Sequence, residues 1–177
     1  MADLRTEPSR IDVSGSDAWI DKLAADIREK NREAAQAYGR NQHFAEVVAR
    51  LGKEFFVRLI TQLEQDVDVL RRKLQGDATS AETTAKSIRA GELRITRERF
   101  PWVDATVTHR DDTILVDYAK GAGLAADPML DRKSRAFTIR AGGDDRLYAE
   151  DAFADSPERF DTPEDLARCI VQFLFEA

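Results

Sequence analysis

His43, His109 and Cys169 are the only imidazole and thiol groups in the chain. Two histidines cannot build a three-histidine zinc site, so no metal centre of that kind is expected. His109 follows Val103, Ala105 and Val107 at alternate positions, which on a strand turns it to the same side as those apolar residues. There it is a candidate base, with Asp104 or Asp117 close by. The same pattern fits a strand-terminal histidine with no chemical role. His43 falls in the first turn of a helical pattern, where capping and surface roles are commoner. Cys169 lies beside Ile170 and far in sequence from either histidine, a setting for a small apolar side chain rather than a nucleophile. The serines show neither a Gly-x-Ser-x-Gly elbow nor a Ser-x-x-Lys pair.

The remaining polar clusters read as structure before chemistry. Asp144, Asp145, Glu150 and Asp151, with Asp155, Glu158 and Asp161 behind them, lack the alternating ligands and central glycine of a calcium loop. Solvated turns explain them. Gly121-Ala122-Gly123-Leu124-Ala125-Ala126 follows a predicted strand and matches a loose dinucleotide fingerprint, but Asp127-Pro128 interrupts where a helix must open. A loop over 121–132 is the simpler reading, and it can still serve as a lid. No cofactor is expected. Trp102, His109, Asp117 and Tyr118 are the residues that would line a pocket between a sheet and the C-terminal helix, although core filling is the ordinary role of strand aromatics.

These groups must be positioned by a chain of 177 residues with 42% hydrophobic and 34% charged side chains, a soluble globular composition. The longest apolar run, 169–175, is too short to span a membrane, and 1–8 lack the apolar core of a signal peptide. With one cysteine, an intrachain disulfide is excluded, and a reducing cytoplasm is expected. Twenty arginines against seven lysines, in an alanine-rich chain, hint at a GC-rich bacterial genome. Residues 1–76 carry 13 basic and 13 acidic side chains, and 77–177 carry 14 and 20. Neither part has the basic excess that neutralises phosphates, so nucleic-acid binding is disfavoured despite the local strip Arg94, Arg97 and Arg99.

The hydrophobic period changes at Gly76. Before it the pattern is helical, with 1–15 as a flexible N-terminus and 16–76 as a helical hairpin. Ser14 or Ser16 caps a first helix that carries Trp19, Ile20, Leu23 and Ile27; Tyr38-Gly39 ends it and Asn41 caps the next. A continuous helix through Gly39 competes at a cost near 1 kcal/mol. In the second helix Phe56, Ile60, Leu63, Val67, Leu70 and Leu74 recur at spacings of four and three, a seam that one facing helix covers. From Gln42 to Gln75 that helix extends roughly 50 Å, while a body of 101 residues measures about 33 Å across. The seam therefore overhangs, and the hairpin is expected to pair into a four-helix homodimer through it, the alternative being an intrachain hairpin packed on the sheet in a monomer.

Residues 77–90, rich in Thr, Ser and Ala, read as a linker. In 91–177 alternation marks strands at Leu93–Ile95, Val103–His109 and Ile114–Tyr118, then Ala136–Ala141 and Arg146–Glu150. Tight turns are expected at 110–113 and 142–145. Thr162-Pro163-Glu164-Asp165 starts a closing helix. The fold class is α+β: a long helical hairpin, a five-stranded antiparallel meander and a C-terminal helix packed on the sheet. The functional expectation is a non-enzymatic adaptor-like or chaperone-like protein that self-associates through its helices and engages a protein partner. A small-molecule-binding or hydrolytic domain, closed by the loop 121–128, is the alternative.

Overall fold

The structure, a computed structural model, describes residues 14–74, 83–98, 102–121, 132–151 and 157–176. The fold is α+β, as the periodicities require, with a long helix, an open antiparallel sheet and a closing helix. The chain divides into two compact units, Met1–Gln42 and His43–Ala177.

Helix α1 runs over Ser14–Leu74 as one element of 61 residues. This corrects the expected hairpin. Gly39 is helical and has no positive φ, and a Cβ placed on it would meet nothing within 4 Å. Its cost near 1 kcal/mol is spread over a segment of strong helix formers, Ala34, Ala35, Gln36 and Ala37 before it and Arg40 after, so the glycine is carried through. Ser14 and Gly15, assigned to a flexible terminus, are already helical, and 1–13 lie outside the described residues. In the last turn Arg71, Arg72 and Lys73 sit at the negative end of the macrodipole.

The sheet has seven strands, not five, in the order β1 (Thr83–Arg89), β2 (Glu92–Arg97), β3 (Trp102–Arg110), β4 (Thr113–Gly121), β5 (Lys133–Ala141), β6 (Leu147–Asp151) and β7 (Arg159–Phe160). Every strand pairs antiparallel with its sequence neighbour. The additional strand β1 comes from the segment expected to be a linker. It turns back onto β2 through Ala90-Gly91, where Gly91 takes φ 82°, a conformation glycine adopts without a Cβ penalty. The short β7 adds Phe160, which is buried. The β3–β4 turn forms where expected, with Asp111 at φ 55°, and Asp145 takes φ 58° in the β5–β6 turn. Asp tolerates this left-handed region better than most residues.

Register sorts the side chains onto two faces. One face carries Leu93 and Ile95, Val103, Ala105 and Val107, Ile114 and Val116, Phe137 and Ile139, Ala149 and Phe160. All of these are buried, in one core with Phe55, Phe56, Leu59, Leu63 and Val67 of α1 and with Leu166, Ala167, Ile170 and Leu174 of α2, which spans Pro163–Phe175. The other face carries Thr84, Arg94, Thr96, Asp104, Thr106, Asp117, Thr138 and Glu150, none of them buried. An antiparallel sheet with one packed and one wetted face alternates in this way. Helix α2 starts as its sequence dictates: Thr162 Oγ1 accepts the Asp165 amide at 3.1 Å, and Pro163 occupies the first turn.

Candidate functional site

Within the His43–Ala177 unit the seam of α1 is covered by the chain's own sheet. Phe56, Leu63 and Val67 are buried, while Ile60, Leu70 and Leu74 are half-buried. The physical reason is that the apolar face of the sheet takes the role assigned to a second helix. A stripe at spacings of four and three states how wide the buried face is, and leaves open whether a helix or a sheet buries it. Large apolar side chains remain uncovered elsewhere. In the Met1–Gln42 unit Trp19, Ile20, Leu23 and Ile27 are each 47–58% exposed and Tyr38 is 72% exposed.

The four residues proposed for a pocket are not brought together. Trp102 and Asp117 lie on the polar face, where Asp117 accepts a hydrogen bond from the Ser134 hydroxyl. His109 and Tyr118 lie on the covered face, but His109 pairs across from Ile114 and Tyr118 across from Ala105, four residues apart along the strands. Tyr118 packs on Phe173, its ring centroid 5.2 Å away. The carboxylates considered for His109, Asp104 and Asp117, point to the opposite face. Asp104 instead binds Arg94 at 2.9 Å and Arg132 at 3.2 Å. Arg97 is buried on the covered face and Arg94 is on the polar one, so the basic strip is split between faces; Arg99 and the loop 122–131 lie outside the described residues.

His109 stacks on Phe56 with centroids 5.0 Å apart, and its buried Nε2 has no hydrogen-bond partner among the described residues. A Cβ at Gly52 would lie 4.0 Å from this nitrogen, so the ring end is capped by the backbone of α1. Burial holds the His109 pKa below its ordinary value, against the pull of a backbone hydrogen bond at Asp111 and the charges of Asp111 and Asp112. At neutral pH the folded ring is therefore uncharged. The unfolded chain takes up the proton first as pH falls, so this histidine's contribution is complete above about pH 6.5 and is lost progressively below it. In urea titrations between pH 7.5 and 5.5 the parent should lose midpoint with acid more steeply than His109→Leu; equal slopes would refute a buried neutral ring.

Two further arrangements were not foreseen. Arg135 lies between the rings of Phe137 and Phe173, 5.3 and 5.0 Å from their centroids, and its guanidinium reaches the Asp151 carboxylate at 2.6 Å. Cys169 Sγ is 3.8 Å from Arg135. Burial pushes the thiol up and outweighs the opposing charge of Arg135, so the cysteine is not activated. The signal in sequence was the parity of Arg135 with Phe137 and Ile139, a charge on an otherwise apolar face. A groove of about 380 Å³ lies among Leu51, Phe55, Arg58, Arg146, Leu147 and Pro163. Its Arg58 is already engaged by Glu164 at 2.7 Å. His43 Nε2 lies 2.8 Å from Asp145 at the surface.

Among the described residues no cluster of three His, Cys, Asp or Glu is placed to hold a metal ion, and no helix is long and apolar enough to cross a membrane. Comparison with protein-family models, with curated proteins and with solved structures finds no match.

Proposed function

We propose that the protein is a non-enzymatic interaction protein that self-associates through the first part of α1 and offers its acidic sheet region to a protein partner. The observation that carries this reading is the exposed row Trp19, Ile20, Leu23, Ile27 and Tyr38. Single exposed apolar side chains need no explanation, whereas several on successive turns of one helix form a patch of the kind that marks an interaction site. Among the described residues the helix half that bears them buries little apolar surface, and helices in proteins owe most of their stability to a packed face. The sheet region supports the second part of the reading through its excess of acid, 20 acidic against 14 basic side chains over 77–177. Its core face is filled, and the candidate polar residues diverge, which supports recognition by surface rather than catalysis in a cleft. The free thiol of Cys169 accords with a reducing compartment such as the cytoplasm.

Light scattering across a concentration series tests the proposal. The parent should pass from 19.9 kDa when dilute to twice that mass when concentrated. Ile27→Asp should hold the monomer mass throughout, with the thermal transition of the sheet unit unchanged, because residue 27 is half exposed and outside the core. A parent that stays monomeric at every concentration would sink the proposal.

A further inference from the structure

Resting on the self-association reading, we infer that two copies pair along α1 in parallel and in register, with Asn31 against the Asn31 of the second copy. Ile20, Ala24, Ile27, Asn31, Ala34 and Tyr38 follow one another at spacings of four and three on a helix. That is the 3.5-residue repeat of a two-stranded coiled coil, in which Ile20, Ile27 and Ala34 take one seam position and Ala24, Asn31 and Tyr38 the other. All six are at least partly exposed. One of them, Asn31, is polar.

That residue argues for the identity of the occupant. An amide buried in an apolar seam costs free energy unless it finds a partner, and it carries both a donor and an acceptor. A second copy in register supplies the same amide at the same level. Turned antiparallel about residue 29, which keeps the seam intact, Asn31 would lie against Ile27 of the second copy and stay unmatched. The flanks agree. Leu23 and Lys30 border the seam on one side, Asp21 and Arg28 on the other. Parallel pairing sets Leu23 beside Arg28 of the second copy and Lys30 beside Ala35, with no like charges in contact. Antiparallel pairing sets Arg28 beside Arg28 and Lys30 beside Lys30.

One consideration points the other way. Residues 18–27 carry Asp21 and Asp26 against Lys22, and 28–40 carry Arg28, Lys30, Arg32 and Arg40 against Glu29 and Glu33, so opposite halves attract in an antiparallel pair. Those charges are exposed and spread over several turns, so most are separated by more than the screening length of about 8 Å. Contacts at the seam and its immediate flanks outweigh them. Three alanines near the seam limit the buried area, so the association is concentration-dependent.

Disulfide trapping in the full chain, in a Cys169→Ala background, reads the arrangement directly. Cysteines at facing seam positions come within bridging range, whereas positions 24 and 34 are about 15 Å apart along the helix. Ala24→Cys alone and Ala34→Cys alone should each give a covalent dimer under mild oxidation, and their mixture should give no enrichment of the 24–34 species. Single variants that fail to link while the mixture links would establish the antiparallel pair and overturn the inference, leaving self-association intact. A dimeric mass with no link in any sample would also overturn it, by placing the interface on another surface. A monomeric parent would remove the self-association reading itself.

Discussion

Leu63→Asp is expected to abolish the cooperative unfolding transition of the His43–Ala177 unit. Leu63 is fully buried, in one core with the inner face of the sheet and with α2. Truncation to alanine at such a site removes transfer free energy and leaves a cavity, a cost of about 2–5 kcal/mol. A carboxylate adds the penalty of an unpaired charge, and the sum is of the order of the whole stability of an average domain, about 5–15 kcal/mol. Circular dichroism with urea titration should show no folded baseline for the aspartate variant and a weakened but cooperative transition for Leu63→Ala. Were Leu63→Asp to keep a parent-like midpoint and merely lose molar mass, the seam would be an interface and the sheet would not be its cover. Ile27→Asp is the matched control: the same chemistry at a half-exposed position should change mass and spare the transition.

The contrast between those two leucine-like positions shows what periodicity conveys. From spacing alone the two stripes are equal, and Phe56 to Leu74 is the better seam because its side chains are larger. It is indeed the buried one, yet its cover comes from strands lying up to about a hundred residues further on, and a helix pattern contains no record of which element lies opposite. Ile20, Ile27 and Tyr38, interrupted by Ala24, Asn31 and Ala34, look weaker in sequence and are the ones left exposed. Gly39 misled for a related reason. A glycine is a stop signal only where the chain takes a left-handed turn, and the helix formers around it decide otherwise.

The sheet was legible where local chemistry decides. The Asp111-Asp112 turn, the Gly142–Asp145 connection and the Thr162-Pro163 start fall where their residue types put them. Strand β1 was missed because Thr83, Thr84, Ala85 and Ser87 are small and polar, and only Thr83 is buried outright. As an edge strand it needs one covered end and pairing to β2, not an apolar stripe, so composition resembles that of a linker. The pocket residues failed on parity: Asp117 and Tyr118 are consecutive on one strand and must point to opposite faces. Arg135 could have been found by the same rule.

Asp151→Ala is expected to destabilise the sheet unit by at most about 3–5 kcal/mol, the cost of breaking a fully buried ion pair, since the Arg135 side chain left behind is 27% exposed. Asp151 is 5% exposed, and Arg135 donates to it from both Nε at 2.7 Å and a terminal nitrogen at 2.6 Å. The lower end of that range is the better expectation, since Glu158 lies 3.9 Å from the guanidinium and is exposed enough to swing toward it. The two aromatic rings flanking Arg135 add cation–π attraction but cannot accept its hydrogen bonds. Arg135→Met combined with Asp151→Ala should recover most of the loss, because a flexible thioether fills the slot between Phe137 and Phe173 and no charge remains to be solvated. Urea midpoints of the two single variants and the double variant decide the matter. A double variant no more stable than Asp151→Ala would mean that the aspartate acts through a contact other than Arg135.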